Sequence, residues 1–240
     1  MRVRCRFALI LLLLPLGICA QQRAPFVGCP SDGQAGPVDP PTGKGPIVKG
    51  ASAAGLSYYR GTMGFGVLAP RGWHCFGVYG SSGDALLIAP WVIDSATAMQ
   101  LSSHPRTGPL VAISLDYRDG SGRYGVAALV NRVFPAYRNS MKEVFEEFPD
   151  LNSPSTSGPY PADRLTYKSD NLVEYMTPGM ARGLGLQLWL QADENPIQGV
   201  AMLTAQNAIV LSVRLPASLR HLAPTIIHQV ELDAAKPPSN

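Results

Sequence analysis

Beyond the first twenty residues the chain holds only two cysteines, Cys29 and Cys75, and this pair constrains the fold more than any other feature. Cys29 lies in "QQRAPFVGCPSDGQAGPVDPPTGKGPIVKGASAAG", residues 21–55. There Pro and Gly recur every few positions and no apolar period of 2 or 3.6 can be traced, which reads as an irregular arm. Cys75 lies in "HCFGVYG", a β-type run near the start of the patterned chain. Two cysteines in an exported chain pair most simply with each other. Their bond would close a loop of about 46 residues, for which chain entropy gives roughly 4 kcal/mol of stabilisation. It would also tie the arm to the first strands of the domain.

Export itself is read from "MRVRCRFALILLLLPLGICA". Arg2, Arg4 and Arg6 precede an apolar run from Phe7 to Leu14, and Ala20 offers a small residue at the end, the layout of a secretory signal peptide. The run is well short of the ~20 residues that span a bilayer. The sequence therefore predicts no transmembrane span in the mature chain and a periplasmic or secreted location. Lipidation at Cys19 is the alternative, although such signals normally place a small residue where Ile18 stands. The formal net charge of +3 is matched by the leader's three arginines, and the leader carries no acid, so the mature chain is neutral. Without a downstream Lys/Arg cluster, nucleic acid is not an expected partner.

The packed domain is expected over residues 56–234, with 235–240 as a disordered tail. "FGVLAP", "HCFGVYG" and "DALLIAP" read as short strands, the last two joined by the "GSSG" turn. In "LVAISLDY", Val111, Ile113, Leu115 and Tyr117 share one face while Ala112, Ser114 and Asp116 share a wetter one. Helical spacing follows, at Val126, Leu129, Val130 and Val133, then at Met141, Val144, Phe145 and Phe148 with Glu143, Glu146 and Glu147 outside. "DRLTYKSDNLVEY" suggests a hairpin. "LQLWLQ", "IQGVAMLT" and "AIVLSVRL" suggest three strands of an antiparallel meander. In the first of these, large apolar groups on both phases, with Trp189 opposite Leu186, Leu188 and Leu190, predict a central strand covered on two sides. The final helix has Ser218 as its expected N-cap, and Pro224 implies a kink or a late start. The expected fold is α+β, an antiparallel sheet sandwiched by helices, with the disulfide-tethered arm outside it.

"FGVLAPRGW", residues 65–73, resembles the opening of the Mog1/PsbP-like domains, in which an aromatic-led strand ends at a proline and a turn before a tryptophan. The element order is similar too. That resemblance implies an antiparallel sheet between helices, and an accessory or binding role without catalysis of its own.

The candidates for reactive chemistry each have an ordinary structural reading. His221 and His228 lie seven apart on the final helix, wider than the usual zinc spacing and without further ligands. "DYRDGSG", residues 116–122, lacks the acidic alternation of a calcium loop and reads as a turn. "TGKG" has the wrong spacing for a phosphate loop. Ser81 and Ser82 sit in no nucleophile elbow, although His74 or His104 could serve a dispersed triad as base. His74 and Cys75, adjacent on a strand, point to opposite faces and form no dyad. No cofactor, metal or catalytic residue is assigned. The expected function is an exported, non-catalytic binding or accessory module of the bacterial envelope or extracellular space, its partner a protein, envelope component or small ligand. A secreted hydrolase with a dispersed Ser/His/Asp site is the alternative. A structural part of an envelope assembly, tethered by residues 21–55, is a third reading.

The cysteine pairing is directly testable. Thiol titration of the mature chain, unfolded without reductant, should detect no free thiol; two per chain would refute the bond.

Overall fold

The computed structural model describes residues 21–235. The leader with Cys5 and Cys19, and the tail residues 236–240, lie outside the described residues. Four three-residue strands come first: β1 (Gln21–Arg23), β2 (Phe26–Gly28), β3 (Ser31–Gly33) and β4 (Ile47–Lys49). β5 (Leu56–Arg60) and β6 (Val67–Pro70) follow, then the hairpin β7 (His74–Gly80) and β8 (Gly83–Ala89). Helix α1 (Ser95–Ser103) precedes β9 (Leu110–Tyr117). The chain then makes α2 (Arg123–Val133), a 3-10 stretch Pro135–Met141 and α3 (Lys142–Glu147). Strands β10 (Arg164–Ser169), β11 (Leu172–Thr177), β12 (Ile197–Leu203) and β13 (Asn207–Arg214) lead to α4 (Ala223–Ala234).

An eight-stranded sheet organises these elements in the order β10-β11-β12-β13-β9-β8-β7-β3. It consists of two antiparallel meanders, β7-β8-β9 and β10-β11-β12-β13, joined where β13 pairs with β9. Edge strand β3 adds parallel to β7. Separately, β2, β5 and β6 form a three-stranded sheet. The β7–β8 turn needs glycine at 83, because a Cβ there would meet the Leu115 carbonyl oxygen at 1.8 Å.

Both faces of the large sheet are covered, and this explains the continuous apolar runs in β9, β12 and β13. On one face Val111, Ile113, Ile209 and Leu211 pack with Leu56, Val67 and Leu68 of the small sheet and with Ile226 and Val230 of α4. Cys29 and Cys75 are buried in this layer as a disulfide, with their Cα atoms 5.4 Å apart. On the other face Val126, Leu129, Val130 and Val133 of α2 meet Ala201, Ala208 and Val210, as their helical spacing required. Met141 and Phe145 are buried beside them, while Glu143, Glu146 and Glu147 stay exposed. Glu147 takes Arg123 at 2.5 Å and Glu146 takes Lys142 at 3.6 Å, so these acids are a solvated helix surface.

Several expectations need correction. Residues 186–191 are no strand. A 3-10 turn at Leu184–Leu186 leads into Gln187, whose φ of 46° breaks the pleat. The segment instead crosses the sheet as a loop, burying Trp189 and Leu190 against Phe76, Leu87 and Ala112 and leaving Leu188 64% exposed. The place expected for it in the meander belongs to β11. Ser218 caps nothing: a 3-10 turn at Ala217–Leu222 follows Pro216, and α4 starts late with Pro224 in its first turn. Residues 21–49, without any period, still find backbone partners. β1 pairs with β4, β2 with β5, and the Cys29 amide donates to the Arg60 carbonyl at 2.9 Å. Three-residue strands are too short to show a period. Helix α1, unannounced by its weak apolar pattern, is capped by Asp94, which accepts from the Thr97 amide at 2.8 Å.

A buried ion cluster locks one end of the β9–β13 seam. Arg214, fully buried, donates to the carbonyls of Gly108 (2.5 Å), Gln191 (2.6 Å) and Arg106 (2.9 Å) and lies 3.3 Å from Asp193. Burial pushes the Asp193 carboxyl up, but amide bonds from Gly108 and Asn195 and the Arg214 charge outweigh it, so it titrates below the ordinary range. One guanidinium thus holds two loops to the sheet. Arg214→Ala would take a donor from three carbonyls and the cation from Asp193, and urea unfolding should register a loss of about 3–5 kcal/mol. A near-neutral result would mean that the loops hold themselves.

Candidate ligand cleft

At the opposite end of the same seam, α2 and the sheet do not close on each other. The helix turns Gly125, Ala128, Leu129 and Arg132 inward, positions spaced along one face. Opposite them the sheet offers Val78, Ala85, Ser114 and Val210. Small residues on both sides leave a cleft of about 970 Å³. The face of β9 expected to be wet is therefore turned inward: Ala112 is packed in the core, and Ser114 and Asp116 are half-buried at the base of the cleft.

Asp116 is the ionisable group at the base of the cleft. Its carboxyl lies against the first turn of α2, where a Cβ on Gly125 would come within 2.6 Å of it. Glycine at 125 is thus required by close approach. Among the described residues no hydrogen-bond donor or cation pairs with Asp116, and burial pushes its carboxyl up to about 6. Asp84, on the other face of the sheet, is also raised by burial, against the pull of the hydrogen bond from the Tyr117 hydroxyl.

The mouth carries positive charge. Arg132 stacks over Tyr160 with its Cζ 4.2 Å from the ring centre, and Arg182 approaches the same ring at 5.8 Å. Arg132 donates to the carbonyls of Ser155 (2.5 Å) and Gly158 (3.2 Å). Neither guanidinium pairs with a carboxylate among the described residues. Buried Asn131 fixes the loop before Tyr160 by donating to the carbonyls of Leu151 and Thr156.

Loop 183–191 forms the remaining wall and is pinned along its length. Asp163 accepts from the Leu184 amide and the Thr177 hydroxyl at 2.8 and 2.7 Å. Gln187 donates to the Val210 carbonyl at 3.3 Å, and the Gln191 amide donates to the Arg106 carbonyl at 2.9 Å.

Of the reactive candidates in the sequence, Ser82 and, from residues 116–122, Asp116, Ser121 and Gly122 line the cleft, and the others lie elsewhere. Cys75 is buried in its disulfide, while His74 points to the opposite face and is exposed. His104, His221 and His228 are exposed as well, and no histidine lines the cleft. His221 falls in the 3-10 turn and His228 in α4, where its Nδ1 lies 3.5 Å from Glu231. Ser81 is bound in the turn by Gln34 and Ser121. Ser82 borders the cleft without a base beside it. Asp119 is exposed in its turn, and among the described residues no group of three metal-ligating side chains gathers. Sequence reasoning missed Arg132, Tyr160 and Arg182, which come together only through loops. The Gly125–Ala128 pair on a core-facing helix stripe was the available signal, since small residues there leave space. No protein-family model, curated protein or solved structure matches this chain.

A raised acid favours the fold in its protonated form. The Asp116 contribution is fully present below its unfolded value near 3.8 and is lost as pH rises through about 6. Removing the charge should therefore help only at higher pH. Asp116→Asn should gain on the parent between pH 4 and pH 8, by about 2–3 kcal/mol at most. Denaturant melts at both pH values measure this gap; one that does not widen refutes the burial of the charge.

Proposed function

We propose that this chain is an exported, non-catalytic binding or accessory module of the bacterial envelope or extracellular space, and that it holds a small molecule in the cleft between α2 and the sheet. The observation that carries the reading is the cleft itself. Its volume falls in the range of small-molecule sites, and its lining is mainly apolar with a few polar groups. Its walls are pinned by hydrogen bonds, so the site is ready-made. The disulfide suits an oxidising compartment, and among the described residues no helix is long and apolar enough to cross a membrane. The likeness of residues 65–73 to Mog1/PsbP-like domains agrees with an accessory role. A hydrolase of the Ser/His/Asp type needs a base within hydrogen-bond reach of its serine. The exposed histidines lie away from the cleft, and no serine hydroxyl hydrogen-bonds Asp116, so binding is favoured over that chemistry.

Ala128 faces the cleft from a half-buried position, so Ala128→Trp should fill the space and leave the core intact. Native mass spectrometry of the mature protein purified from its own envelope fraction should show a small-molecule adduct. The adduct should vanish in Ala128→Trp while the melting temperature stays within a few degrees. An adduct that survives the substitution, or a parent without one, would count against the cleft.

A further inference from the structure

We propose that the cleft takes an elongated apolar molecule with one anionic head, its head held between Arg132 and Arg182 and its body lying along α2 toward Asp116. This rests on the reading of the cleft as a ligand site and names the class of ligand. The charges lining the cleft are divided between its ends. At the mouth two guanidinium groups converge on Tyr160, and neither has a carboxylate partner among the described residues. The carbonyls of Ser155 and Gly158 occupy part of the Arg132 fork and hold it in place, while Arg182 is exposed and makes no hydrogen bond among the described residues. Planar forks of this kind recognise carboxylate, sulfonate or phosphate oxygens in pairs.

The rest of the path is apolar. From Arg132 back to Gly125 is two turns of α2, about 10 Å of helix axis. Along it the ligand would meet Ala128, Leu129, Ala85 and Val210. At the other end of this path the Asp116 carboxyl would repel an anionic head and so sets the ligand's direction, head toward Arg132 and Arg182. A cationic head would be repelled from the Arg132–Arg182 end by the two guanidiniums.

The test uses two probes with the same aromatic body. 1-Anilinonaphthalene-8-sulfonate carries the anion, and N-phenyl-1-naphthylamine lacks it. Fluorescence titration of the mature protein should show the sulfonate binding about tenfold more tightly. Arg182→Ala, an exposed position, should remove most of that preference and leave binding of the neutral probe unchanged; Arg182→Lys should restore part of it. Ala128→Trp should abolish both. Equal affinity for the two probes in the parent, or equal weakening of both by Arg182→Ala, would overturn the anionic head while leaving the cleft as a ligand site. If neither probe binds, or if Ala128→Trp changes neither, the cleft reading falls as well.

Discussion

Strands β9 and β13 join the two halves of the large sheet through eight consecutive partners, from Leu110–Arg214 to Tyr117–Asn207. Everything between them in the chain, from α2 to β12, is a long excursion that must close before this seam can form. Closure of such a loop costs entropy that local contacts cannot offset, so the seam has to be strongly favourable. Its side chains meet this demand on both faces. Val111, Ile113 and Leu211 enter the layer shared with α4 and the small sheet, while Ala112, Ala208 and Val210 enter the layers under the other helices.

The two ends of the seam are finished in opposite ways. At the Leu110–Arg214 end a buried arginine saturates itself on three carbonyls and one carboxylate, and the loops around residues 106–109 and 191–195 are drawn tight. Here a charge is buried with its partners. At the Tyr117–Asn207 side Asp116 is half-buried with none among the described residues, beside a helix that turns Gly125, Ala128, Leu129 and Arg132 toward the cleft. Packing that is dense at one end and open beside Asp116 at the other is a poor way to gain stability. It is a common way to leave room for a ligand.

How much of this was legible in the sequence follows from the range of each interaction. Helix α2, the β7–β8 hairpin and strands β9, β12 and β13 carry their own periodicity or turn chemistry, so local reading finds them. The Cys29–Cys75 bond was legible because only one pairing exists beyond the leader. Segment 186–191 was misread because its apolar residues on both phases fit a strand covered on two sides, whereas the loop buries the adjacent Trp189 and Leu190 and leaves Leu188 exposed. Only the backbone of Gln187, which no residue pattern announces, separates the two cases. The strands in residues 21–49 are stabilised by partners elsewhere, with β2 reading β5 and β3 reading β7, and so leave no local trace. The cleft was illegible for the same reason in stronger form. Asp116, Arg132, Tyr160 and Arg182 belong to a strand, a helix and two loops, and each alone has an ordinary explanation.

The pinning of the cleft walls bears on what kind of binding is possible. A flexible wall would have to be ordered by each ligand, which takes roughly 0.5–1.5 kcal/mol for every side chain immobilised. Here the ordering is already done by the protein's own bonds: Asp163 holds one end of loop 183–191, Arg106 and Arg214 hold the other, and Asn131 holds the loop that leads to Tyr160. Tyr160 in turn lies under Arg132, whose guanidinium is fixed by two carbonyls. A ligand entering the cleft would therefore meet walls already ordered by the protein's own bonds, with Arg182 left to settle on its head. Its affinity would be set by apolar area and by the charge at the mouth, and the buried disulfide and the Arg214 cluster, remote from both, maintain the frame in which they face each other.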